Sequence, residues 1–266
     1  MSLASPFPLV AVDVGNSRIK CGLFSGAPDV AGHELPKPER TLTIDPTQSG
    51  WIDLNDVCGE FGVGRVAWRI ASVQRKTLAT FIEKLRELGV ENIALLTSRE
   101  LPLEIALPQP DRVGIDRLLG AVAANRLRTA GQAAIVVHVG SAITVNLVAA
   151  DGSFQGGAIL PGIAMSARAM HQFTDLLPLV DMAALSEPPA PVGDATQAAM
   201  TSGLFWGAVG GIRQLIELYS RHVGGEPLVL LTGGAAPSVA RLLGTTAHYD
   251  AHLVLSGIAL AVAHAE

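Results

Sequence analysis

The run Asp13-Val14-Gly15-Asn16-Ser17-Arg18-Ile19-Lys20 combines residue types that suit a phosphate group. A glycine in a turn lets backbone N–H groups approach phosphate oxygens closely. Asn16 and Ser17 add side-chain donors, and Lys20 adds a cation. Asp13, at the end of an apolar run, can hold Mg²⁺ directly or through water. Phosphoryl transfer asks for this positioning and charge neutralisation. An Asx-type hairpin turn with a surface lysine would use the same residues.

A second candidate is Gly114-Ile115-Asp116-Arg117. Asp116 follows a loop and precedes a helical pattern, where a carboxylate is favoured by the helix dipole whatever its role. As chemistry, it is placed to accept a proton from a substrate hydroxyl, with Arg117 beside it for an anionic group. Gly140-Ser141-Ala142 offers further turn amides and a hydroxyl, and Thr232-Gly233-Gly234 a turn that could accommodate adenosine or ribose.

These groups sit where the apolar pattern breaks. Leu9 to Val14 and Ile19 to Phe24 are β-rich runs around a Gly/Asn connection, which predicts a hairpin. Residues 25–50 read as irregular. Arg65 to Ser72 and Ile93 to Leu96 read as strands, with a helix between them over Lys76 to Leu88. Pro102, Pro108 and Pro110 mark 101–113 as loop, and a helix is predicted over Leu118 to Leu127. Ala134 to Val148 is strand, glycine turn and strand. Gly156-Gly157 and Pro161-Gly162 punctuate the chain before a helix from about Ile163 to Phe173. Further helices are predicted over Thr196 to Leu218 and Pro237 to Leu243, around a buried strand, Leu228 to Thr232.

The two hairpins resemble each other. At an offset of 125 residues, Asp13 falls on His138, Gly15 on Gly140 and Asn16 on Ser141. A repeat at half-length predicts two similar α/β domains. Two apolar hairpins could also look alike by chance.

Bulk properties narrow the function classes. The 266 residues are 49% apolar and 16% charged, enough to fill hydrophobic cores. A net charge of -5 offers no bulk attraction to nucleic acid or anionic membrane, and neither is expected as a partner. Cys21 and Cys58, without CxxC spacing, argue against a disulfide scaffold or structural zinc. No stretch reaches the ~18 unbroken apolar residues of a spanning helix, and the N-terminus lacks a basic signal region. The expectation is a cytoplasmic protein.

In order along the chain, these pieces resemble the type III pantothenate kinase family. Its D-x-G-N-[TS]-x-x-K is matched by Asp13 to Lys20, and its P-x-x-x-G-x-D-R by Pro110 to Arg117. G-G-x-I-x-P-G is matched by Gly156 to Gly162, T-x-x-L-P by Thr174 to Pro178, and a further segment by Thr196 to Gly203. The resemblance implies two duplicated ribonuclease-H-like (actin-like ATPase) domains with the active-site cleft between them, here expected as 1–117 and 118–266. It implies ATP-dependent phosphorylation of pantothenate to 4'-phosphopantothenate, the first step of coenzyme A biosynthesis, by a homodimer. Asp116 becomes the general base. Gly114, Ile115, Asp116, Arg117 and Thr196 contact pantothenate. Asp13, Val14, Gly15, Asn16, Ser17, Arg18, Ile19, Lys20, Ser141, Thr232, Gly233 and Gly234 contact ATP, with Mg²⁺ at Asp13.

The chain departs from the family pattern at three places. The second phosphate motif usually reads D-x-G-T-A-x-T-x-D, but here His138 and Asn146 replace its two carboxylates. The first is associated with a monovalent cation (K⁺ or NH₄⁺). An imidazole suits transition metals better than K⁺ and, if protonated, repels it. His138 also reads as a hydrogen-bonded strand residue. Leu107 stands where the family commonly has a tyrosine. These departures admit two alternatives: a catalytically weak or inactive dimeric regulatory relative, or an actin-like kinase for another hydroxylated acid or sugar.

Overall fold

A computed structural model describes residues 6–29, 32–46, 51, 59, 61, 66–182, 187–243 and 247–265. Cys58 and the strand start expected at Arg65 lie outside them. The chain forms two units, 1–127 with 252–266, and 128–251. The boundary expected between 117 and 118 falls inside a helix of the first unit, and the last helix returns to that unit.

In the first unit, β1 (Leu9–Val14) pairs antiparallel with β2 (Ile19–Phe24) and parallel with β4 (Ala67–Ser72). β3 (Arg40–Ile44) and β5 (Ile93–Leu95) complete a sheet of order β3-β2-β1-β4-β5. Alternation of side chains separates its two faces. Val10, Val12 and Val14 join Trp68, Ile70 and, from helix α1 (Arg75–Glu87), Phe81 and Leu85 in one core. Leu9, Ala11 and Asp13 take the opposite face. There pack α2 (Ile115–Leu127) and α6 (Leu253–His264). A Cβ on Gly257 of α6 would stand 2.2 Å from the Leu119 carbonyl oxygen, so a glycine there permits the close helix crossing.

The second unit repeats this plan. β6 (Ala134–Val139) pairs antiparallel with β7 (Ala142–Val148) and parallel with β9 (Leu228–Thr232). With β8 (Phe154–Pro161) and β10 (Ala247–Tyr249) the order is β10-β9-β6-β7-β8. Read from β8, this is the order and pairing sense of the first sheet. The fold is therefore α/β with two duplicated ribonuclease-H-like units. α3 (Ile163–Gln172) and α4 (Thr196–Val223) pack on each other, and α5 (Ala236–Ala240) follows β9. Met200, Phe205, Val209 and Ile212 of α4 share a core with Ile135, Val137, Ile143 and Val145.

Several elements differ from expectation. β3 lies within the segment expected to be irregular, and β8 where glycines suggested only punctuation. α2 starts three residues before Leu118, so it includes Asp116 in its first turn. α4 continues past Leu218 to Val223, where Gly224 (φ 68°) ends it in the left-handed conformation that glycine adopts readily.

Candidate active site

Each unit carries a hairpin turn, and the two differ in what surrounds them. In the first, Asp13 opposes Lys20 across the β1–β2 register. Residues directly opposite in an antiparallel pair project to the same face. Asn16, Ser17 and Arg18 of the loop are exposed, and the Gly15 amide donates to the Arg18 carbonyl at 3.0 Å to close it. Asp13 lies beneath the loop, 7% exposed. Burial, together with the negative charge of Asp116, pushes its carboxyl up from 3.8 to about 7, against the pull of Lys20.

Asp116 thus sits within electrostatic reach of Asp13, on the face that α2 covers. Its placement depends on Gly114. The Gly114 carbonyl accepts from the Arg117 and Leu118 amides at 3.1 and 3.4 Å, starting the helix. A Cβ on Gly114 would stand 2.7 Å from Asp116 Oδ1 and 3.6 Å from Val73 Cγ1. The carboxylate occupies space that any other residue at 114 would claim. Val73, which the sequence alone did not single out, donates its amide to the Val14 carbonyl at 3.2 Å. That bond ties the end of β4 to the end of β1.

The burial and mutual repulsion of Asp13 and Asp116 fit a divalent cation. A metal held at Asp13 would relieve the charge that burial makes costly. The exposed loop above it, with its donors and Lys20, fits phosphate oxygens.

In the second unit, His138 opposes Thr144 across the hairpin and Thr232 across the parallel pair. Its ring is half-buried between two glycines. A Cβ on Gly140 would stand 3.3 Å from Nε2, and one on Gly233 2.8 Å from Cδ2. Gly233 has φ 107° and lies where a Cβ would be 2.4 Å from the Val139 carbonyl oxygen. Thr232 and Gly233 are buried and Gly234 is exposed. Behind the Gly140-Ser141 turn, Gly162 donates to the Ser141 carbonyl at 3.2 Å, where a Cβ would meet two carbonyl oxygens at 2.4 Å. The Pro-Gly pair at 161–162 is thus a support for the turn.

Asn146 is 1% exposed and donates through Nδ2 to Thr144 Oγ1 at 3.0 Å and the Val136 carbonyl at 3.3 Å. An aspartate there would face the Val136 carbonyl with an acceptor of its own. The neutral amide suits this buried position.

The structure brings Asp13, Lys20, Gly114 and Asp116 together in the first unit. In the second it brings together His138, Gly140, Ser141 and Gly233. Thr196 is exposed at the start of α4, and Leu107 is half-buried in the loop before α2. Among the described residues, no three His, Cys, Asp or Glu side chains cluster as a metal site, and no helix is long and apolar enough to cross a membrane.

Known proteins resemble the chain over nearly its whole length. The type III pantothenate kinase of Paramagnetospirillum magneticum is 35% identical over 256 residues, covering 94% of this chain and 95% of that protein. That of Thermomicrobium roseum is 33% identical with the same coverage, 94% and 95%. A solved Campylobacter jejuni protein, described as a Baf family transcriptional activator, aligns over 94% of both chains with TM-score 0.57 and 20% identity. The activator of a Clostridium difficile 2-hydroxyisocaproyl-CoA dehydratase, with bound ADPNP, aligns over 97% of this chain and 93% of its own. Its TM-score is 0.51 at 12% identity, a likeness of fold alone. The profile of the type III pantothenate kinase family matches residues 9–218, and the chain belongs to that family.

Proposed function

We propose that the protein transfers the γ-phosphoryl group of ATP to the primary hydroxyl of pantothenate, opening coenzyme A biosynthesis. The observation that carries this reading is the Asp13–Asp116 pair beneath an exposed phosphate-type loop, in a chain of this family. Asp116, held by the absent side chain of Gly114, accepts the hydroxyl proton as the new P–O bond forms. A neutral alcohol is a poor nucleophile, and such a base contributes about 10²–10⁴-fold. The amides and side chains of Gly15 to Ser17 and the Lys20 ammonium hold phosphate oxygens. Ser141 supplies a further hydroxyl, and Thr232 to Gly234 border the nucleoside. Mg²⁺ at Asp13 would neutralise charge on the transferring group.

Three finer assignments belong to the same reading. The chain works as a cytoplasmic homodimer. Support for the dimer comes from Ile159, Met165, Phe173, Leu176 and Leu179, large apolar side chains exposed in the second unit. Local bonds hold that segment: Thr174 donates to the Met170 carbonyl at 2.6 Å, and His171 Nδ1 contacts the Leu177 carbonyl at 2.9 Å. K⁺ has little effect, because His138 offers nitrogen rather than oxygen to a cation. Pantothenate contacts come from Gly114 to Arg117 and Thr196.

A coupled ADP-release assay tests the function, with ATP, Mg²⁺ and pantothenate each omitted in turn. ADP release that depends on all three is the expected result. A folded protein that releases none with pantothenate, but does with another hydroxylated acid or sugar, would move the reading to a different acceptor, which Leu107 favours. A folded protein inert with all of them would make it a non-catalytic relative.

A further inference from the structure

His138 takes no part in phosphoryl transfer as set out above. It is nevertheless the fifth residue of β6, as Asp13 is of β1. Asp13 lies beneath one turn assigned to phosphate. His138 lies beside two turns assigned to the nucleotide, Gly140-Ser141 and Thr232 to Gly234. A Cβ on Gly140 would stand 3.3 Å from its Nε2 and 3.6 Å from its Cδ2. A Cβ on Gly233 would stand 2.8 Å from Cδ2. The Nε2–Cδ2 edge of the ring therefore borders both turns, and a side chain at either glycine would crowd it. The residue is half-buried, so part of it stays open to solvent.

The strand partners of His138 are neutral. Thr144 and Thr232 oppose it on its two sides, where Asp13 has Lys20 across its hairpin. Thr144 Oγ1 accepts from Asn146 Nδ2 at 3.0 Å, and the same amide donates to the Val136 carbonyl at 3.3 Å. These residues bring no carboxylate to repel an anion. Nε2 is a donor in the imidazolium and in the neutral tautomer that carries its proton there. Such a donor beside turn amides complements a phosphate oxygen.

We propose that His138 is a further nucleotide ligand, its Nε2–H donating to a phosphate oxygen of ATP held at the Gly140-Ser141 turn. The inference rests on the kinase reading and adds a residue to its nucleotide site. The second hairpin then grips the phosphates with an imidazole donor, and the first with Lys20 and the loop amides.

The test is calorimetric titration of wild type, His138→Asn and His138→Gln with ADP plus Mg²⁺, and with adenosine. The amide nitrogen of glutamine reaches roughly the place of Nε2, whereas that of asparagine stops near Nδ1. His138→Asn should weaken ADP binding about tenfold, and His138→Gln by less than about threefold. Adenosine, which lacks phosphate, should bind all three proteins alike. The KM for ATP should follow the ADP affinities, with the KM for pantothenate within about twofold of wild type. In wild type, the His138 Nε2 resonance in nitrogen NMR should move on adding ADP and stay in place with adenosine. Equal ADP affinity in wild type and His138→Asn would overturn the contact. So would equal losses with both substitutions, a matching loss for adenosine, or a resonance indifferent to ADP. Wild-type protein that binds neither ADP nor ATP would instead defeat the kinase reading itself.

Discussion

The two hairpins share a fold and differ in charge. Asp13 and His138 each occupy the fifth position of a six-residue strand, β1 or β6. Each opposes a residue across an antiparallel partner and another across a parallel one: Lys20 and Ala71 for Asp13, Thr144 and Thr232 for His138. The loops differ by one residue, since Val14 pairs with Ile19 but Val139 with Ile143. Lys20 therefore corresponds to Thr144, a match that the constant offset of 125 residues misses. The first hairpin holds a buried carboxylate opposite an ammonium. The second holds an imidazole opposite a hydroxyl, with Asn146 satisfied behind it. Buried apolar strands keep the two architectures alike, while side chains at one strand position divide the chemistry between them. In the proposed scheme the general base, Asp116, and the carboxylate that would hold Mg²⁺, Asp13, both belong to the first unit.

Replacing the charged partners should have the largest effects. Asp116→Asn is expected to lower kcat at least ~100-fold with little change in the KM for ATP, because it removes the proton acceptor and keeps the shape. Turnover near wild type would remove Asp116 from that role. Next comes Gly114→Ala, which sets a methyl group against Asp116 Oδ1 and should cost about tenfold in kcat in a protein that still folds, since small misplacements near reacting atoms are costly. A kcat equal to wild type would show that the carboxylate can shift freely. Lys20→Ala should raise the KM for ATP several-fold, roughly the loss of one charge-assisted contact. No change in either kinetic constant would make Lys20 a surface residue.

The pH dependence of the first hairpin sharpens the contrast. The carboxyl of Asp13 titrates near 7 in the metal-free folded protein, against 3.8 when unperturbed. The folded state then binds the proton more tightly than the unfolded chain. Asp13 thus adds stability at low pH, and that stability is lost as pH rises through about 7. Metal-free denaturant titrations across that range should show the loss, and Asp13→Asn should flatten it. Mg²⁺ competes with the proton, so its affinity should fall as pH drops below about 7. The smallest effect concerns the second hairpin: exchanging Na⁺ for K⁺ should change wild-type turnover by less than about twofold. His138→Asp should then introduce K⁺ stimulation. A strong K⁺ requirement in wild type would mean that other groups rebuild a cation site.

Much of this plan is written in the sequence where strands are apolar and turns carry glycine. β1, β2, β6, β7 and β9 stand where β-rich apolar runs and glycine turns predict them. What is hidden has physical reasons. β8 carries Gly156 and Gly157, which suggest a turn, yet Gly157 sits on the sheet at φ 155° where a Cβ would strike the Val145 carbonyl oxygen. β3 is largely exposed and lies among prolines and charges. In α6, Leu253 to Val262 are all buried, so no polar face marks the helical period. The residues of the candidate site are legible one by one, because their types suit phosphate and proton transfer. Their support is not. That Gly114 makes room for Asp116, or that Gly162 backs the Ser141 turn, depends on distances between segments that spacing does not report.

The most direct measurement is phosphorus NMR of the product formed by the purified protein from ATP, Mg²⁺ and pantothenate. A new phosphomonoester resonance coupled to the methylene of the primary alcohol, absent with Asp116→Asn on the same timescale, is the predicted result. A folded wild-type protein that yields only ADP and inorganic phosphate, or leaves ATP intact, would contradict the account.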